Sequence, residues 1–131
     1  MFFLGKPPPP SAVPTTTARG QAAEDQALAY LQAQGLRLLG RNYRTPGRGG
    51  GEIDLILRAA DGTVVFVEVR SRASKAFGGA AASISHTKRQ RIVWAARHWL
   101  HKHGAQQPCR FDVVLIDAGP PQWLQAAFDS S

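Results

Sequence analysis

Acidic residues are missing from the middle of this chain. Between Glu68 and Asp112 there is none, while nine basic residues fall there: Arg70, Arg72, Lys75, Lys88, Arg89, Arg91, Arg97, Lys102 and Arg110. All four histidines lie in the same interval. With a net charge of +7, this asymmetry points to a face for polyanions, most simply nucleic acid, over a merely solvated surface. Cysteine is nearly absent as well. Cys109 stands alone, so an internal disulfide is excluded and a reducing, cytoplasmic setting is the simplest expectation. No apolar run is long enough to cross a bilayer, so no membrane partner is expected. The apolar start, Met1–Leu4, runs into the block Pro7–Pro10 and makes a poor signal peptide. Residues 1–18 are therefore read as a disordered, Pro-rich tail, and 19–131 as one domain.

What is present suits an ordinary core, with 44% hydrophobic residues in a chain of 131. Ala23, Ala27, Tyr30 and Leu31 recur at helical spacing over residues 20–35, and Gly35 is a natural stop. "LRLLGRNYRT" reads as a short strand and "PGRGGG" as a flexible loop, with the role of a flap beside Asp54. That loop precedes a strand, not a helix, which argues against a nucleotide cradle. "EIDLILR" and "TVVFVEVRS" form a hairpin, and an irregular loop follows. A second helix runs from about His86 to His103. "RFDVVLID" is another strand, and "GPPQWLQAAF" is a last short strand or turn. The order α-β-β-β-α-β predicts an α/β fold, a mixed sheet flanked by helices.

The hairpin carries an anomaly. Asp54 and Glu68 sit inside its apolar strands. The loop Ala60-Asp61-Gly62 predicts that Ala59 pairs with Thr63. Counting back, Ile56 faces Phe66, Asp54 faces Glu68, and Glu52 faces Arg70. Opposed carboxylates repel, and burial adds to the cost. Either one is protonated or a hard cation such as Mg²⁺ or Mn²⁺ lies between them. Glu24 falls in the apolar arc of the first helix, beside Leu28 and Leu31, and supports the metal reading; an exposed Glu in a first helical turn is the blander account. Glu52 is placed behind the ligands or as a partner of Arg70.

These residues carry a resemblance. "GEIDLI" followed by "VFVEVR" resembles the uncharacterised bacterial YraN family. "AEDQALAYLQAQGLRLLGRNYR", "KRQRIVWAARHWL", "RFDVVLI" and "WLQAAF" agree in the same order, so residues 20–128 are covered. That family is similar to archaeal Holliday-junction resolvases and to the PD-(D/E)xK nucleases. The resemblance implies a restriction-endonuclease-like fold, with Asp54, Glu68 and Glu24 as metal-binding and catalytic residues and the Val69 carbonyl as a further ligand. Arg70 stands where the nuclease motif has lysine. Arginine stays charged and cannot act as a general base, but it can hold a phosphate or its water. Lys88 is a candidate for the lysine's role.

The implied activity is Mg²⁺- or Mn²⁺-dependent hydrolysis of phosphodiester bonds in structured or branched DNA. Arg44, Arg48, Arg72, Lys75, Lys88, Arg91 and Arg97 are then expected to hold flanking phosphates. A nucleic-acid-binding module with little or no catalysis is the alternative, and a scaffold for an acidic protein is a third reading. A homodimer is compatible with each. On the second helix, Ile92, Val93, Ala96, Trp99 and Leu100 make the core stripe. Trp94 lies opposite, among Gln90, Arg91, Arg97, His98, His101 and Lys102. It is expected to pack against the C-terminal segment or a second subunit, with stacking on an unpaired base as the alternative. His98, His101 and His103 lack a companion cysteine or carboxylate, which argues against zinc.

Overall fold

The computed structural model describes residues 16–47, 49–71 and 84–130, and of residues 16–19 the backbone alone. Arg48, Arg72, Lys75 and residues 1–15 of the expected tail lie outside the described residues.

Helix α1 spans Thr16–Ala33, beginning four residues before the expected Gly20. It buries Ala23, Ala27 and Leu31. Beyond it the Leu36 N–H donates to the Leu31 carbonyl, a return that buries Leu36 as well. Strands β1 (Arg37–Arg44), β2 (Glu52–Arg58) and β3 (Val64–Ser71) follow, then α2 (His86–His103), β4 (Cys109–Ile116) and β5 (Gln122–Phe128). The sheet order is β1-β2-β3-β4-β5. Among the described strands, only the β3–β4 pair is parallel. Parallel neighbours need a long crossover, and α2 supplies it.

The two helices cover opposite faces of the sheet. Ala27 and Leu31 pack with Leu55, Leu57, Val65 and Val67. Ile92, Ala96 and Trp99 pack with Ile56, Val64 and Phe66. Strand β3 is thus covered on both sides, which is why Val64–Val67 is an unbroken apolar run. The mixed α/β sheet and the element order agree with the sequence reading. Of the last short strand or turn expected over residues 119–128, the structure has the strand, β5, with 7 residues.

Two local features position the site. Gly62 adopts φ 94°, and Ala59 N–H donates to the Thr63 carbonyl, so the hairpin closes with the expected loop. Gly51, just before β2, lies against α2. A Cβ there would overlap the Arg91 carbonyl and approach the Ala95 Cβ. The Gly51 N–H also donates to Thr45 Oγ1 at 2.6 Å, which closes the base of the glycine-rich loop. Gly51→Ala is expected to destabilise the fold by about 1–3 kcal/mol, as overpacking of a close contact does. Thermal melting checks it, and an unchanged midpoint would mean that α2 is free to give way.

Strand β5 is held by a residue that sequence patterning does not single out as special. Asp112 is 0% exposed. Its carboxylate accepts two bonds from Arg110 at 2.9 Å, one from Trp123 Nε1 at 2.8 Å and one from the Ala126 N–H at 2.9 Å. Ala126 has φ 52°, and the β4–β5 register shifts between Phe111 and Val113. The carboxylate therefore ties an irregular strand to the sheet, and Arg110 is engaged inside the fold. Asp112→Ala would leave Arg110, the Trp123 Nε1–H and the Ala126 N–H without their buried acceptor. The expected loss is about 3–5 kcal/mol, or a melting midpoint lower by roughly 10–25 °C. A loss under about 1 kcal/mol would mean that packing alone holds β5.

Candidate functional site

The β2–β3 ladder includes Ile56 opposite Phe66, as the loop predicts, and ends at Leu55 opposite Val67. Asp54 comes next, and its side chain takes over from the backbone. Asp54 Oδ2 accepts a 2.9 Å hydrogen bond from the Val69 N–H. The side-chain alternation of β2 also changes there. Leu55 and Leu57 face α1, whereas Ile53 joins Ile56 on the α2 side. On the neighbouring strand β1, Asn42 adopts φ 50°.

Glu68 is only 5% exposed. It sits beside Asp54, so the expected proximity is present although the ladder stops short of it. Burial first, then the adjacent Glu68 charge, pushes the Asp54 carboxyl up to about 7. The Val69 N–H and the charge of Lys88 pull it partly back. Two cations approach the same Glu68 oxygen, Oε2: Lys88 Nζ at 3.6 Å and an Arg70 guanidinium nitrogen at 3.8 Å. The other oxygen, Oε1, is buried and has no hydrogen-bond partner. Lys88 reaches this point because Ser85 caps α2, accepting the Lys88 N–H at 3.1 Å, and fixes the first helical turn.

Glu24 approaches from α1. Burial and then the Asp54 charge raise its carboxyl above the usual range, and Arg41 works against both. An Arg41 guanidinium nitrogen lies 3.5 Å from Glu24 and 2.8 Å from Asp25. Among the described residues, no group of three or more His, Cys, Asp or Glu side chains is gathered closely enough to hold a metal ion. Glu24 is within the electrostatic reach of Asp54 without joining the Asp54–Glu68 pair. The pair itself suits a divalent ion. It offers two hard carboxylates and one unsatisfied buried oxygen, and Mg²⁺ commonly uses one or two carboxylates with water and phosphate in the remaining positions.

The other expected site residues are spread out. Glu52 pairs with Arg44 across β1–β2 at 3.5 Å, and no Glu52–Arg70 pair belongs to the ladder. Arg91 and Arg97 are exposed on α2 with Trp94. Trp94 is 57% exposed, so it is not closely packed against the C-terminal segment within the chain. His98 Nδ1 lies 2.6 Å from the Tyr43 hydroxyl, and His103 Nδ1 2.9 Å from the Trp99 carbonyl. Each ring thus engages a neighbour within the fold. Sequence reasoning missed Arg41 as the brace of Glu24. An arginine on the neighbouring strand carries no local signal of that contact.

The family model for the uncharacterised protein family UPF0102 matches residues 23–116, which include every residue of this cluster. A UPF0102 protein of Paracidovorax citrulli (strain AAC00-1) is 71% identical over 116 residues, 88% of this chain and 86% of the relative. One from Acidovorax sp. (strain JS42) is 61% identical over 132 aligned residues, covering 100% of both. A third, from Albidiferax ferrireducens, is 64% identical over 118 residues, 90% of this chain and 92% of the relative.

Proposed function

The chain belongs to the uncharacterised protein family UPF0102, and we propose that it is a metal-dependent nuclease acting on structured or branched DNA, on a restriction-endonuclease-like core. One observation carries the proposal: a buried carboxylate pair, Asp54 and Glu68, with an unpartnered oxygen and two cations at its edge. A purely structural pair would be expected to have its lone pairs satisfied, as those of Asp112 are.

Asp54 and Glu68 would hold Mg²⁺ or Mn²⁺, with Glu24 tuning the site from α1. When bound, such an ion would supply a water of lowered pKa and stabilise charge on the phosphoryl oxygens. The chain's own residues do the rest. Lys88 and Arg70 stand beside Glu68, where they can orient a phosphate and offset developing negative charge. Lys88 is the better analogue of the motif's lysine, because an ammonium can release a proton and a guanidinium does not. Arg91 and Arg97, exposed on the same helix, extend the positive surface for flanking phosphates. No base-reading motif is visible, so recognition would rest on shape. No described helix is long and apolar enough to cross a membrane, and a cytoplasmic location suits the proposal.

The test is a cleavage assay with Mn²⁺ on linear, flapped and four-way DNA, beside calorimetric Mn²⁺ titration. Cleavage favouring the flapped or four-way substrates is expected. A second reading is favoured by Arg70 at the motif's lysine position: a DNA-binding module with little catalysis. Binding of branched DNA with no Mn²⁺-dependent cleavage would select it. Absence of both Mn²⁺ binding and DNA binding would remove both readings.

A further inference from the structure

Trp94 stands out among the described residues as an exposed large hydrophobic side chain, at 57%. Trp99, on the same helix, is 5% exposed and packs edge-on against Phe66 at 5.9 Å, so the core of α2 is already provided for. Trp94 instead lines a groove of about 510 Å³ between α2 and the end of β5, a volume in the range of small-ligand pockets. Val93 and Phe128 contribute apolar lining, and Arg89 and Arg97 contribute charge, against one carboxylate, Asp129. Two lining residues are held in place. Phe128 stacks on Phe111 at 5.1 Å, and Arg89 Nε donates to the Ile84 carbonyl at 3.1 Å.

We propose that this groove takes a nucleotide of an unpaired nucleic-acid strand, its base stacked on Trp94 and its phosphate held by Arg97. The inference rests on the nucleic-acid reading above and adds which part of the substrate α2 meets. Arg97 follows Trp94 by three residues, so both project from neighbouring positions on one helix face. An aromatic face beside a guanidinium suits single strands without sequence preference. The ring accepts any base, and the cation follows the backbone. Helix α2 carries no acidic residue, which favours a polyanion over a peptide of mixed charge. A second copy of the chain is a poorer occupant. A two-fold contact centred on Trp94 would bring Arg91 and Arg97 against their own counterparts.

The groove is also well placed. Lys88, which reaches Glu68, precedes Trp94 by six residues, roughly 9 Å along the helix axis. One helix thus serves both the groove and the carboxylate pair, with Lys88 and Trp94 about 120° apart around its axis. Flaps and junctions are the DNA forms that present unpaired nucleotides next to duplex, so the groove gives a physical basis for preferring them.

The test is fluorescence anisotropy with a labelled oligothymidylate and a labelled duplex of equal length. Trp94→Ala should weaken single-strand binding roughly tenfold and leave duplex binding within about twofold, as loss of one stacking contact does. Trp94→Phe should recover most of the affinity. Arg97→Ala should flatten the plot of log affinity against log salt by about 0.7 for the single strand. All three variants should keep the wild-type melting temperature and Mn²⁺ affinity. Unchanged single-strand binding by Trp94→Ala would overturn the proposal. So would equal losses for single strand and duplex. A change from dimer to monomer in sedimentation, with DNA binding intact, would overturn it too and make Trp94 a contact between copies. If the wild-type protein bound neither DNA, the nucleic-acid reading itself would fall. Failure confined to the variants would leave that reading standing.

Discussion

Asp54→Asn is expected to abolish Mn²⁺-dependent cleavage and, without metal, to make the protein more stable above neutral pH. The two effects have one cause. In the folded protein Asp54 keeps its proton up to about pH 7, against an ordinary value of 3.8, because it is buried and faces Glu68. Its contribution to stability is fully present below the unfolded value and is lost as pH rises through about 7. Above that, the metal-free fold must hold two carboxylates in contact, and their repulsion is what a divalent ion would relieve. Asparagine removes the charge and still offers an oxygen to the Val69 N–H. The stability of Asp54→Asn relative to wild type should therefore grow by about 2–3 kcal/mol between about pH 5 and pH 8. That corresponds to a shift in the difference of melting temperatures on the order of 10 °C. Added Mn²⁺ should reverse the order, stabilising wild type alone. Calorimetric titration and melting with and without Mn²⁺ check both parts. Equal Mn²⁺ affinity in the two proteins would end the metal-site reading. A variant that melts below wild type at about pH 8 without metal would end the close opposition of the carboxylates.

Much of this site was legible before the fold, because a short loop transmits register. Gly62 can take φ 94°, the loop therefore closes between Ala59 and Thr63, and Ile56 must then face Phe66. What was not legible begins at Asp54. Strict alternation assumes a regular ladder, and Asp54 replaces a ladder contact with its own side chain at the Val69 N–H. Ile53 then turns to the α2 side and Glu52 pairs with Arg44. The start of α1 at Thr16 was missed for a similar reason, since its first turn has no apolar period of its own, and the choice between strand and turn for β5 was left open because it depends on Asp112, a residue of another strand.

Asp112 also shows why a carboxylate inside an apolar strand is an ambiguous signal. "RFDVVLI" looks no different in kind from "EIDLILR". Asp112 has Arg110 two residues before it on the same strand face, and Trp123 and Ala126 complete its shell. Asp54 and Glu68 have each other. The distinction lies in the supply of donors, and most donors come from distant parts of the chain. Family membership adds that the pair lies within the stretch matched by UPF0102.

Lys88→Met is expected to lower single-turnover cleavage about 100-fold, as loss of a group that stabilises transition-state charge does, while Mn²⁺ binding persists or tightens. The direction for the metal follows from charge alone. Lys88 Nζ lies 3.6 Å from Glu68 Oε2 and repels any cation that Glu68 would bind. Arg70, at 3.8 Å from the same oxygen, predicts a different pattern. Arg70→Lys should keep or raise cleavage, since it restores the residue usual at that place in the nuclease motif. Arg70→Ala should lower cleavage with the metal still bound. Both cations serve one buried carboxylate, so either alone can compensate its charge, and neither single loss should unfold the protein. If the two were only structural neighbours of Glu68, the variants would melt earlier and cut at the wild-type rate. Cleavage at saturating DNA and Mn²⁺, measured beside melting, separates these outcomes.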